Sequence, residues 1–289
     1  MCCILLLAIV GGEVWQALLP DDPVYQGKTV SQWFSQIDSR SGVSHQDKAV
    51  QALVAMGDQA VPYLIKQYSA PASTVRDRLT QWLNKIPWLK LRLLSSSERH
   101  LRAYVPLMLM GPRAQAAIPQ LVKLTERRNN AIDAIQLLGY IHSRPELVIP
   151  LLSGCLKEDD AMIAYRKPCV VALGRFGKDA FRAAPMLQPM LTNQDEEMQF
   201  YAATSLLGIG DSIELAVPII GNALNNASFQ SSIAIQLGEL GENARPVVPL
   251  LVERIKNGQS QSADEAFIYQ LRGALKKIDA EAAERVGVK

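Results

Sequence analysis

Seven basic residues and two tryptophans fall between positions 76 and 102: Arg76, Arg78, Trp82, Lys85, Trp88, Lys90, Arg92, Arg99 and Arg102. Guanidinium and ammonium groups interleaved with indoles can hold phosphates and stack on bases, or dock an acidic protein surface. The nine residues are taken as a candidate patch for docking a protein partner. Nucleic acid bound through residues 76–113 is the alternative use of the same chemistry. A solvated face, with Trp82, Leu83, Ile86, Trp88 and Leu89 packed inward and the charges outward, is the plain structural reading.

The other reactive side chains are poorly placed for catalysis. His45, His100 and His142 are far apart, and no His-Glu dipeptide occurs, so the repeated His-Glu pairs of a helical-repeat di-iron hydroxylase are missing. Glu158-Asp159-Asp160 and Asp195-Glu196-Glu197 fall at helix junctions, where the helix dipole favours carboxylates. Cys2, Cys3, Cys155 and Cys169 show no CxxC spacing. Cys155 and Cys169 read as core thiols, with a bridge between them left open. There is no glycine-rich phosphate loop and no GxSxG. The expectation is a non-enzyme with no catalytic residue, metal, cofactor or small-molecule substrate.

The elements that must position these residues are punctuated by glycine and proline. Gly111 and Pro119, Gly177 and Pro185, Gly210 and Pro218, and Gly241 and Pro249 each stand eight residues apart, recurring about every 33 residues. Gly57/Pro62 and Gly139/Pro150 read as shorter and longer versions. A glycine closes a helix by adopting a left-handed conformation, and a proline opens the next where its missing N–H costs nothing. Capping patterns at Thr29/Gln32, Ser44/Asp47, Thr74/Asp77, Ser95/Glu98, Ser143/Glu146, Thr192/Asp195 and Ser262/Glu265 precede segments of helical periodicity. Pro168 marks a kink or a late helix start. The fold class is all-α, an α-solenoid of antiparallel helix pairs preceded by an N-terminal apolar segment.

Ala172-Leu173-Gly174-Arg175-Phe176-Gly177 with Ala184-Pro185-Met186-Leu187 resembles a HEAT repeat of the short bacterial, bilin-lyase type. So do Leu206-Leu207-Gly208-Ile209-Gly210 with Val217-Pro218-Ile219-Ile220, and Leu237-Gly238-Glu239-Leu240-Gly241 with Val248-Pro249-Leu250-Leu251. The resemblance covers roughly residues 44–279 and implies second helices lining a concave binding face. By family name it also implies a bilin-lyase-like accessory or enzyme as the alternative function. Val24-Tyr25-Gln26-Gly27-Lys28 with Trp33 resembles a lead-in found before HEAT arrays of exported bacterial proteins.

The domain reading follows: residues 1–19 a signal-anchor or export segment, 20–43 a linker and lead-in helix, and 44–279 the solenoid. An insertion falls near 70–100, since Pro62 to Pro119 is too long an interval for one repeat, and 280–289 is a tail. Residues 72–128 hold eleven Lys/Arg against three acids, whereas Ala183–Ala244 holds seven acids and no Lys or Arg. In a solenoid sequence order is spatial order, so a basic half precedes an acidic one. The apolar run Cys2–Val10, extended to Leu19, points to the cell envelope through residues 2–19, with the cytoplasm as alternative. The function expected is a scaffold or adaptor for an unidentified protein partner, with nucleic acid disfavoured.

Overall fold

The computed structural model describes residues 22–38, 42–71, 73–86, 93–126, 130–156, 163–226, 230–258 and 265–287. Two compact units are formed, Met1–Asn130 and Ala131–Lys289. The apolar segment 2–19 lies outside the described residues, as do Glu158-Asp159-Asp160 and Ser262. Among the described residues no helix is long and apolar enough to cross a membrane.

The N-terminal unit opens with two antiparallel strands, β1 (Val24–Tyr25) and β2 (Lys28–Thr29), too short to show alternation in the sequence. Gln26 and Gly27 turn the chain at φ +49° and +76°, the twist a tight hairpin requires. Thr29 caps α1 (Val30–Gln36) in a reciprocal box with Gln32. Buried Trp33 donates its indole N–H to Tyr25 O at 2.9 Å, and Lys28 lies 4.4 Å from the ring centre. The lead-in is thus a structural clasp joining hairpin to helix.

Next come α2 (Lys48–Met56) and α3 (Val61–Tyr68), then α4 (Thr74–Asn84), α5 (Ser96–Met110) and α6 (Ile118–Thr125). The additional helix α4 is tied to α5 by its polar groups. Asp77 accepts from Ser96 N–H and Oγ at 2.8 and 3.0 Å, and Asn84 exchanges two hydrogen bonds with the Leu93 backbone. Asp77 therefore serves the N-terminus of α5, while Ser73 caps α4.

In the C-terminal unit the pairs are α7 (Ala131–Ile141) with α8 (Pro145–Gly154), α9 (Ile163–Arg175) with α10 (Ala184–Leu187), α11 (Glu196–Ile209) with α12 (Ile213–Ala223), and α13 (Gln230–Leu240) with α14 (Val248–Gly258). Helix α15 (Glu265–Ile278) covers α13 and α14, and α16 (Ala280–Arg285), capped by Asp279, makes part of the expected tail helical. The core runs between the layers through Leu137, Leu173, Phe200, Leu206, Leu237 and Leu271, all fully buried. Each such side chain contributes roughly 1.5–3 kcal/mol.

The glycines divide into two roles. Gly210 sits at φ +82° and ends α11, and a 3-10 turn begins at left-handed Gly57, Gly111, Gly177 and Gly241. Gly139, Gly174 and Gly208 instead lie inside first helices. A Cβ on Gly174 would stand 2.7 Å from Ser205 Cα, and one on Gly139 2.8 Å from Ala172 Cα. Gly139 is therefore a contact glycine rather than a helix stop. Helix α7 continues to Ile141, and left-handed Arg144 begins α8. Pro150 and Pro218 likewise lie one turn inside α8 and α12, because these two hairpins lack the intervening 3-10 turn. Pro168 is within α9, which begins before it.

Reciprocal capping boxes form at Thr29/Gln32 and Ser95/Glu98. Where the third residue is Asp47 or Asp195, that carboxylate is itself the cap, accepting from the N–H of the second helical residue and, for Asp195, of the third as well. A short Asp side chain serves better as a cap than as the back-reaching partner. Ser143 also departs from the pattern, the cap position being Arg144.

Candidate ligand groove of the C-terminal unit

The site begins at three residues that directly follow glycines of first helices. Tyr140 follows Gly139, Arg175 follows Gly174 and Glu239 follows Gly238. The close approach of the first helices brings these three together. The Arg175 guanidinium lies 3.9 Å above the Tyr140 ring centre and donates to Glu239 Oε2 at 2.6 Å. Tyr140 Oη donates to Glu239 Oε1 at 3.0 Å. Helices α7 and α13 are separated in sequence by two first helices, yet a tyrosine and a glutamate span them. The first helices therefore face the inside of the bend in this unit, which corrects the expectation that second helices line the concave side.

A second cluster lies one to two turns toward the helix N-termini. Lys167 Nζ contacts Asp195 Oδ2 at 2.8 Å and Glu197 Oε2, and Tyr201 Oη donates to Glu197 Oε1 at 3.0 Å. Two cavities adjoin along this surface. One of about 250 Å³ is lined by Tyr140, Arg175, Thr204, Ser205, Gln236 and Glu239 among others. The other, about 300 Å³, is lined by Gln136, Lys167, Tyr201, Ile235 and Gln236 among others. Both share Tyr140, Val171, Arg175 and Gln236, so they form one groove with Arg175 and Tyr140 at the junction and Lys167 and Tyr201 in the second cavity. A depression of about 480 Å³ beside Glu196, Gln199 and Asn222 has no aromatic lining.

The electrostatics follow from these contacts. Burial pushes the Tyr140 hydroxyl above its ordinary value, Arg175 opposes that and Glu239 adds to it. Burial, with Glu197 beside it, also pushes Tyr201 up. Both phenols consequently stay protonated and act as donors across neutral pH. The hydrogen bond from Lys167 holds Asp195 below the usual carboxylate range, against a smaller opposing effect of burial. Burial alone would lower Lys167, but its bonds to Asp195 and Glu197 outweigh that and raise it. Cations of α9 thus neutralise several acids of the stretch that lacks Lys and Arg.

The candidate docking patch does not stay together. Arg102 is fully buried and donates to Phe34 O and Ser35 O at 3.4 and 3.1 Å, closing the C-terminus of α1. Arg99 is 5% exposed and reaches Ser96 Oγ at 3.4 Å. Both belong to the interior of the N-terminal unit, Arg102 facing α1, which corrects their place in a surface patch. Arg78 and Trp82 are exposed on α4 and Lys85 at its C-terminal cap, with Arg76 half-buried on the helix. Trp88, Lys90 and Arg92 lie outside the described residues. Cys155 and Cys169 are buried free thiols.

The sequence reading missed Tyr140, Arg175, Glu239, Lys167 and Tyr201. One signal was available: three repeats carry a long polar or aromatic side chain at the same repeat position, directly after a glycine.

Fold and site together define an α-solenoid of HEAT-like repeats with a charged, tyrosine-lined groove on its first-helix side. No family model matches the chain. It is similar to the uncharacterized protein SkfG of Bacillus subtilis (strain 168), at 31% identity over 107 residues. That match spans 37% of this chain and 61% of the relative. Among solved structures it is similar to the complex of CpcE and CpcF of phycocyanin lyase from Nostoc sp. PCC7120. The TM-score is 0.52 at 17% identity, with 93% of this chain and 96% of that chain covered. What is shared is the fold. The likeness nevertheless overturns the exclusion of enzyme function, because in that structure a helical stack of this kind belongs to a lyase.

Proposed function

We propose that the protein is a bilin-lyase-like subunit. Its groove holds an elongated, carboxylate-bearing ligand of the open-chain tetrapyrrole class, and it works beside a protein partner. The observation that carries this reading is the convergence of Tyr140, Arg175 and Glu239 from three first helices beside the adjoining cavities. The phycocyanin lyase likeness supports the ligand class, and the two-subunit complex in that structure supports a partner. An open-chain tetrapyrrole carries two flexible propionates and a conjugated body. In the groove the propionates exchange with Glu239 at Arg175 and with Glu197 at Lys167, while the body lies against Tyr140, Val171 and Tyr201. Protonated phenols donate to the lactam oxygens. Chemistry at the pigment then depends on this orientation and on exclusion of water.

Titration of the full chain with biliverdin, followed by visible absorption and induced circular dichroism, tests the reading. Saturable binding with an induced signal is expected, weakened at least tenfold by Arg175→Ala. Absence of an induced signal at micromolar pigment, or equal binding by the variant, would overturn it.

A further inference from the structure

Among the described residues, helix α4 is joined to its unit on one side. Thr80 and Leu83 are buried, and Asp77 and Asn84 are spent on Ser96 and Leu93 of the approach to α5. Turned away from that side, Val75 is 78% and Trp82 58% exposed. Seven residues apart, they lie almost in line on the helix. Arg78 and Lys85, also seven apart, are exposed along one flank of that line. The helix's sole acid, Asp77, points inward, so the outward surface carries apolar and positive groups and no negative one.

We propose that the outward face of α4 is a docking surface for an anionic lipid bilayer. An indole is amphipathic and favours the headgroup level of a membrane, and an apolar strip flanked by cations is the pattern of helices that lie in that interface. The match is one of charge and depth. Val75 and Trp82 enter the acyl boundary, while Arg78 and Lys85 lie beside lipid phosphates and carboxylates. A nucleic acid would stack on Trp82 and leave Val75 in water, and a neutral partner would leave two cations unanswered. The surface belongs to the N-terminal unit and does not depend on the groove reading. A single short helix of this kind binds weakly and reversibly, and gains from any second attachment point in the chain.

The full chain is assayed by co-sedimentation with vesicles of phosphatidylcholine alone and with vesicles containing phosphatidylglycerol. Comparing variants within the full chain keeps any contribution of residues 2–19 constant. Binding is expected to be stronger on the anionic vesicles and to fall as salt rises. Each cation near such a surface is worth about 1 kcal/mol, so Arg78→Gln with Lys85→Gln should lower the anionic-vesicle affinity about thirtyfold. The same double variant should leave binding to neutral vesicles unchanged, and Trp82→Ala should weaken anionic binding about tenfold. All three positions are exposed, so unchanged far-ultraviolet circular dichroism is the check on folding. An anionic preference that survives the double variant overturns the proposal. So does an anionic preference that is absent while polyuridylate binds the parent chain and not the variant, which would assign the surface to nucleic acid.

Discussion

Arg175 illustrates how one side chain can do the work of several contacts. Its guanidinium covers the Tyr140 ring and holds Glu239, and it is only 15% exposed. Arg175→Ala removes a cation–π contact and leaves the Glu239 carboxylate, 29% exposed, without its ion partner. A loss of about 1–3 kcal/mol is expected in urea unfolding of the full chain, whereas Arg182→Ala on the exposed 3-10 turn should change little. The Lys167 cluster responds to pH instead. Asp195 is lowered from 3.8, so its contribution is present above that value and is lost as pH falls through the lowered one. Lys167 is raised from 10.5, so its contribution is present below that value and is lost as pH rises through the raised one. Lys167→Met should therefore lower the melting temperature at pH 7, and this difference should shrink as the pH is brought down through the lowered Asp195 value. A melting difference that is independent of pH would mean that Lys167 acts by packing its stem.

Between helices, the same amino acid carries opposite expectations according to what its missing Cβ would meet. Gly174→Ala would drive a methyl to 2.7 Å from the Ser205 backbone, where neither helix can yield locally, and should cost about 1–3 kcal/mol. Gly273→Ala, in the interior of α15 with nothing within 4 Å, should stabilise by about 0.5–1 kcal/mol. Equal effects of the two substitutions in thermal melts would refute the packing role of Gly174. The repeats themselves were legible, because helix-stopping glycine and apolar periodicity are local properties. The distinction between Gly139 and Gly177 was not, since it depends on which neighbour comes close. The burial of Arg102 was equally hidden, because its acceptors are carbonyls some 67 residues away. In sequence it is indistinguishable from the exposed cations of α4.

Within each unit, each helix pair touches mainly its neighbours, so the order of repeats in space could be read from their order in sequence. The bend of the C-terminal unit could not. It depends on glycines that let α7, α9 and α11 approach, and on a clamp whose members are 64 and 99 residues apart. These two causes can be separated. With the glycines intact and Arg175 replaced by Ala, the first helices can still pack pairwise, but Glu239 is no longer held by the guanidinium. If the clamp sets the curvature, α7 and α13 should separate. Ile132 and Ile235, exposed at 40% and 59% on those two helices, accept spin labels without entering the core. With Cys2 and Cys3 changed to Ser, and buried Cys155 and Cys169 left in place, double electron–electron resonance reports the distance between them. The parent should give one narrow distribution, and Arg175→Ala a longer and broader one. A distribution unchanged by Arg175→Ala would assign the bend to glycine packing alone. The groove would then be open and ready before any ligand displaces Glu239, and carboxylate exchange at Arg175 could proceed without movement of the helices.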